Sequence, residues 1–316
     1  MALLEVSDLY KTFSDNKSSF VAVDHLSFSL EKGECLGLVG ESGCGKSTTA
    51  SLIMHLNHAD SGKILFDGKE LNSKKALKEV RGNLQMIFQN PVDSFNPKYT
   101  LLDGVKQGLR FFDNPGKEEL EKRAKDAIRY VGLKESYYNK KISQLSGGEC
   151  QRAAIARAII SEPKVIICDE ATSALDVSVQ AQVIELLKRL QREKQISYLF
   201  ITHDLLLTRH ICNRIAVMYQ GSIVEIGDTK EVLDNPEHPY TKLLLSCVLK
   251  PRVTKDFKFI SYDLIREQAP LGCKFYEYCS RAKEICMKKS PELKGKNNHQ
   301  SACFLGTKKE KVCYDN

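Results

Sequence analysis

The residues Gly40-Glu41-Ser42-Gly43-Cys44-Gly45-Lys46-Ser47-Thr48 fit the pattern G-x-x-x-x-G-K-[ST]. They follow an apolar run, Cys35 to Val39, and precede residues with helical apolar spacing. In that setting the glycines let backbone N–H groups turn inward around phosphate oxygens, and the positive end of the following helix points at them. Lys46 adds a cation near the β and γ oxygens, and Ser47 is placed to ligate Mg²⁺. A second candidate lies at Val165-Ile166-Ile167-Cys168-Asp169-Glu170, where four apolar residues precede two acids. This is the layout of a buried strand that delivers carboxylates at its C-terminal edge, where open α/β sheets collect ligands. Asp169 is expected to hold Mg²⁺, and Glu170 to polarise an attacking water. An Asp-Glu pair alone is commonly a solvated loop start; beside a phosphate loop the functional reading prevails.

The elements that position these groups alternate short apolar runs with longer amphipathic stretches, the rhythm of an α/β protein with a buried sheet. Strands are expected at Cys35 to Val39, Leu84 to Phe88, Val165 to Cys168, Tyr198 to Ile201, Arg214 to Met218 and Ser222 to Gly227. Helices are expected at Lys46 to Leu56, Glu118 to Val131, Gly148 to Ile160 and Ser178 to Lys194. The interval from about 90 to 163 is mainly helical and reads as a subdomain inserted into the sheet domain. A helix ending near Leu249, followed by Pro251, marks a boundary. Domains are therefore expected at 1–249 and 250–316.

Composition supports that division. The 316 residues carry 47 lysines and arginines against 40 acids, and are 42% hydrophobic, so a sizeable core can form. The formal excess of +7 lies wholly in residues 250–316, which hold 15 basic and 8 acidic residues. Five of the 11 cysteines crowd the same segment: Cys273, Cys279, Cys286, Cys303 and Cys313. Scattered cysteines such as Cys35 and Cys168 read as small buried hydrophobes in a reducing compartment. No window reaches the roughly 18 apolar residues of a spanning helix, and the N-terminus lacks a signal-peptide layout.

The stretch Leu145-Ser146-Gly147-Gly148-Glu149 with Cys150-Gln151-Arg152 lies just upstream of the acidic strand. It resembles the signature of ATP-binding cassette (ABC) ATPases. The order phosphate loop, Gln89, signature, Asp169-Glu170, Ser173-Ala174-Leu175-Asp176 and His203 is similar to that family over about residues 3 to 249. The resemblance implies a P-loop NTPase (RecA-like) nucleotide-binding domain with an inserted helical subdomain. It makes Phe13 the adenine-stacking aromatic, with an ordinary core aromatic as the alternative. Gln89 becomes the Mg²⁺-sensing glutamine and His203 the histidine that contacts the γ-phosphate. Ser146, Gly147 and Gly148 become an anion-binding helix start that caps ATP held by another subunit in a head-to-tail dimer. Asp176 is expected at the same interface. Glu149 and Cys150 depart from the commonest residues of the signature, Glu149 as an accepted variant and Cys150 as a neutral one.

The loop with Cys44 and Thr48-Thr49, Gln89-Asn90-Pro91 with Ser94-Phe95-Asn96-Pro97, and His238-Pro239-Tyr240-Thr241 resemble the dipeptide and oligopeptide importer ATPases, and favour the F-type subunit. The implied partners are a D-type paralogue, two membrane permeases and an extracytoplasmic solute-binding protein, with the chain peripheral at the cytoplasmic face of the membrane. The spacing Cys273-x5-Cys279-x6-Cys286-x16-Cys303 matches the extension that this branch associates with a [4Fe-4S] cluster. Zinc, or unmetallated thiols or disulfides, are the alternatives. Cys313 falls outside that spacing. An importer of nickel or another small solute remains a second reading, and a soluble ABC protein acting on nucleic acid a third.

Overall fold

The computed structural model describes residues 2–14, 19–110, 113, 115–173, 175–248, 271–296 and 298–305. Ala174, Cys313 and the expected boundary at 249–250, with Pro251, lie outside them. The described strands are β1 (Leu4–Ser14), β2 (Ser19–Leu30), β3 (Cys35–Val39), β4 (Ser61–Phe66), β5 (Lys69–Glu70), β6 (Leu84–Ile87), β7 (Val165–Asp169), β8 (Ser197–Thr202), β9 (Arg214–Tyr219), β10 (Ser222–Asp228), β11 (Lys294–Lys296) and β12 (His299–Ser301). The helices are α1 (Lys46–Ile53), α2 (Lys74–Val80), α3 (Leu101–Arg110), α4 (Lys117–Tyr130), α5 (Gly147–Ile159), α6 (Val177–Lys194), α7 (Leu205–Ile211), α8 (Thr229–Asp234), α9 (Pro239–Val248) and α10 (Glu284–Lys288).

The larger sheet runs β11-β12-β10-β9-β3-β8-β7-β6, and its five strands from β9 to β6 are mutually parallel. Every residue of β3, β7 and β8 is buried, as expected of parallel strands covered on both faces. Alternation along β3 divides the core: Leu36 and Leu38 face one layer, while Cys35 and Val39 face the other. The first layer is a separate antiparallel sheet, β2-β1-β4-β5, together with α1. The second is the helical side, where α5, α6 and α7 pack with α3 and α4.

This antiparallel sheet is absent from the sequence-based expectations. Its alternation is broken along β1 by register shifts between Val6 and Leu9, Leu9 and Lys11, and Lys11 and Thr12. Asp8 and His25 there adopt left-handed backbone angles, φ 52° and 51°. Between 90 and 163 the structure is helical, as expected. Gly108 of α3 lets that helix approach α5, since a Cβ there would lie 2.2 Å from the Arg157 carbonyl oxygen.

Residues 271–305 add β12 to β10 in antiparallel register, pairing Glu225 with Ser301 and Gly227 with His299. The carboxylate of Glu225 is fully buried. It accepts hydrogen bonds from the backbone N–H groups of Glu237 (2.7 Å) and His238 (2.9 Å), and pairs with His299 Nε2 at 2.7 Å. Burial disfavours the charged imidazole of His299, but Glu225, with Glu237 and Glu231 nearby, holds its pKa above the ordinary value. The stabilisation from this pair is therefore complete below the unfolded pKa and is lost as pH rises through the higher folded value. His299→Gln should remove the part of the thermal stability that declines from about pH 6.5 upward. Melting curves on either side of that pH check it, and an unchanged pH dependence would contradict the pairing.

Candidate functional site

The parallel strands bring four separate chain segments to one edge. The Gly40–Thr48 loop follows β3, His203 follows β8, Asp169 ends β7, and Gln89 follows β6. Because β8 lies between β3 and β7, the loop and the acidic pair come together although they are distant in sequence.

Within the loop, Gly43 and Gly45 have φ of +82° and +106°, which L side chains rarely adopt. Lys46 is 4% exposed. Its ammonium donates to the carbonyl oxygens of Gly40 and Glu41, both at 2.8 Å, so the loop folds around the cation. Ser47 Oγ donates to Asp169 Oδ1 at 3.0 Å. Burial raises the pKa of Asp169, Ser47 opposes that rise, and the neighbouring Glu170 adds to it.

Glu170 is held between two strand ends. Its N–H donates to the Ile201 carbonyl of β8 at 3.0 Å, and its backbone is left-handed at φ 47°. Strain of this kind gathers at functional sites. Gln89 Nε2 donates to one carboxylate oxygen of Glu170 at 3.0 Å, and His203 Nδ1 lies 3.4 Å from the other. Gly40, Glu41, Ser42, Glu170, His203 and Leu244 line a cleft of ≈ 370 Å³, within the range of small-molecule sites.

Other expected residues lie around this centre. Phe13 is half-buried and pairs with Phe20 at 5.7 Å between ring centroids, with Lys11 Nζ 5.3 Å from its ring. It stands on the antiparallel sheet, whose β2 approaches the loop where Ala22 abuts Gly45. Ser146 caps α5: Glu149 donates its N–H to the serine hydroxyl, while the Glu149 carboxylate accepts the Ser146 N–H at 2.8 Å. That N–H lowers the pKa of Glu149. A Cβ at Gly148 would lie 2.5 Å from Val179 Cγ1, so α5 and α6 meet there. Asp176 caps α6 through the Val179 N–H at 3.0 Å, which lowers its own pKa.

Cys273, Cys279, Cys286 and Cys303 all line one small hollow with His238, Pro239, Phe275, Tyr276 and Phe304. Burial, with the other three thiols nearby, pushes the Cys273 pKa up to about 11. Among the described residues, no group of three or more His, Cys, Asp or Glu side chains is gathered as a metal site. The sequence reading missed Leu244, which lines the cleft, and Tyr240, whose hydroxyl accepts the Glu41 N–H at 3.1 Å. The motif containing Tyr240 was visible in the sequence, but its contact with the loop was not.

A phosphate loop joined through Ser47 to a strand-end aspartate, with a glutamate, a glutamine and a histidine meeting beside it, defines a nucleotide-binding P-loop ATPase of the cassette class. A family model for ABC transporters matches residues 23–173. A second, for the C-terminal region of oligopeptide/dipeptide transporters, matches 224–286. The chain is 43% identical to the oligopeptide transport ATP-binding protein OppF of Haemophilus influenzae, with 96% of each chain covered. It is 42% identical to AppF of Bacillus subtilis, covering 96% of this chain and 97% of that one. Among solved structures, the dimeric ATP-binding cassette MJ0796 in a post-hydrolysis state with ADP and Pi is 29% identical, with a TM-score of 0.66 over 72% of this chain and 98% of that one. The cassette cbiO1 from Clostridium perfringens gives the same identity and score over 74% and 91%. The chain belongs to the ABC transporter ATP-binding subunits of the oligopeptide/dipeptide class, and is an ATPase of that family.

A Cβ on Gly45 would lie 2.1 Å from the Ala22 carbonyl oxygen. Gly45→Ala should therefore destabilise the fold by at least about 2 kcal/mol, strain and clash together. Chemical denaturation tests this, and native-like stability would contradict the tight seat of the loop against β2.

Proposed function

We propose that this chain is the ATP-hydrolysing, energy-coupling subunit of an importer for oligopeptides or dipeptides. The observation that carries the reading is the meeting of Lys46, Ser47, Asp169, Glu170, Gln89 and His203 at one strand edge. The relatives matching nearly the whole chain bear the name oligopeptide transport ATP-binding protein. The match of 224–286 to the oligopeptide/dipeptide C-terminal region favours peptides over nickel or nucleic acid.

In this reading the inward N–H groups of Gly40 to Thr48 cradle the phosphates, and Lys46 exchanges loop carbonyls for phosphate oxygens. Ser47 and Asp169 would hold Mg²⁺ with Gln89 beside them; one hydroxyl and one buried carboxylate suit an ion that keeps waters and phosphates as its other ligands. Mg²⁺ held there would supply charge neutralisation for the β and γ phosphates. Glu170 orients the attacking water and accepts its proton, and His203 reaches the γ-phosphate. Phe13 stacks on adenine. Ser146, Gly147 and Gly148 offer the start of α5 to ATP held by a second cassette, a D-type paralogue, and Asp176 lies at that junction. ATP closes the pair and hydrolysis reopens it, moving two permease subunits that receive peptide from an extracytoplasmic binding protein.

Among the described residues no helix is long and apolar enough to cross a membrane. Attachment at the cytoplasmic face is therefore assigned to contacts with the permeases. We divide the chain into a cassette over 1–249 and a basic cysteine-rich extension over 250–316. The four thiols of the extension form an all-sulfur donor set with apolar walls, the chemistry that suits a [4Fe-4S] cluster. Cys273, Cys279, Cys286 and Cys303 would hold the cluster as thiolates, which would cross-link the extension.

Glu170→Gln should keep ATP binding and lower turnover at least about a hundredfold. Hydrolysis at the native rate in the assembled transporter would overturn the role of Glu170. Anaerobic purification should give a brown protein with about four iron atoms per chain; a colourless protein holding one zinc would overturn the cluster.

A further inference from the structure

The motif His238-Pro239-Tyr240-Thr241 has no part in the chemistry above, yet it lies between the cysteine hollow and the phosphate loop. Tyr240 is 1% exposed, and its hydroxyl accepts the Glu41 N–H at 3.1 Å. Its backbone N–H donates to His238 Nδ1 at 3.1 Å, which fixes the start of α9. The ring lies 4.5 Å from that of Tyr219 and 5.6 Å from that of Phe275, while Phe275 meets Tyr219 edge-on at 5.4 Å and 87°. Phe275 stands two residues from Cys273 and lines the hollow with all four cysteines.

A second arm starts from the residue between them. Lys274 Nζ donates to the Gln220 carbonyl at 2.5 Å and to Ser222 Oγ at 2.8 Å, and pairs with Asp24 at 2.6 Å. These bonds clasp the turn at Gly221, whose N–H donates to the Cys44 carbonyl of the phosphate loop at 2.9 Å. The tripeptide Cys273-Lys274-Phe275 thus reaches the loop backbone at two points, Glu41 through Tyr240 and Cys44 through Gly221.

We propose that Tyr240 is a positioning residue for the phosphate loop, and that Phe275 carries the arrangement of the four-thiol hollow to it, so that the extension sets how tightly nucleotide is held. This rests on the loop being the ATP site. A loop that must hold several N–H groups toward one phosphate loses affinity when one end of it is released. The ring contacts make the connection stiff, because packed aromatic side chains have few alternative rotamers.

The test uses the full chain in the assembled transporter, with ATP titrations read as KM and kcat. Tyr240→Phe keeps the buried ring and removes only the acceptor, so KM for ATP should rise about threefold to tenfold, with the change falling on KM rather than kcat. A role in folding alone would instead lower kcat by reducing the active fraction. Phe275→Leu should raise KM in the same direction, and the double variant should be no worse than the poorer single variant. An unchanged KM in Tyr240→Phe would overturn the positioning role. Additive effects of the two substitutions would overturn the connection to the hollow. Native protein that binds no ATP would instead remove the functional reading on which the inference stands.

Discussion

The hydrogen bond from Ser47 to Asp169 joins residues 122 positions apart and is the constraint on which the site depends. It requires β3 and β7 to end at the same sheet edge with β8 between them, and a parallel sheet covered on both faces provides this. The same arrangement places Glu170 beside Asp169 at the end of β7 and brings Gln89 and His203 to it from the ends of β6 and β8. Asp169 is buried and its pKa is raised by that burial, so its carboxylate is costly without partners. Ser47 is one partner, and a bound cation would be the stronger one. The loop meets a related demand by folding its own carbonyls around the Lys46 ammonium.

Much of this could be read in the sequence because the site lies at the ends of continuous buried strands. Cys35 to Val39 and Val165 to Cys168 are runs without a charged or polar side chain, and the chemistry follows each of them directly. The helix starts at Lys46, Gly147 and Val177 were similarly marked by glycine, serine and aspartate at their caps. The antiparallel sheet was not legible. β1 loses its period at successive bulges, and several of its residues are only half-buried, so apolar alternation fades where the strand remains.

The extension illustrates a different limit. Cysteine spacing drew attention to Cys273, Cys279, Cys286 and Cys303, and these do line one hollow. Spacing could not reveal that β12 pairs with β10, or that His299 reaches the buried Glu225. The His299–Glu225 contact joins residues 74 positions apart, and short polar strands such as His299–Ser301 carry little periodicity. Tyr240 is the clearest case: its motif marks a family branch, whereas its bond to Glu41 is a tertiary contact.

Coupling of the ATP site to peptide transport is tested most directly by ATP hydrolysis by the chain reconstituted in vesicles with the proposed D-type paralogue and permease subunits. Hydrolysis should rise when peptide-loaded binding protein is added, and Asp169→Asn should abolish both the basal and the stimulated rate. Hydrolysis that ignores the loaded binding protein, or that survives the loss of the Asp169 carboxylate, would contradict the central claim.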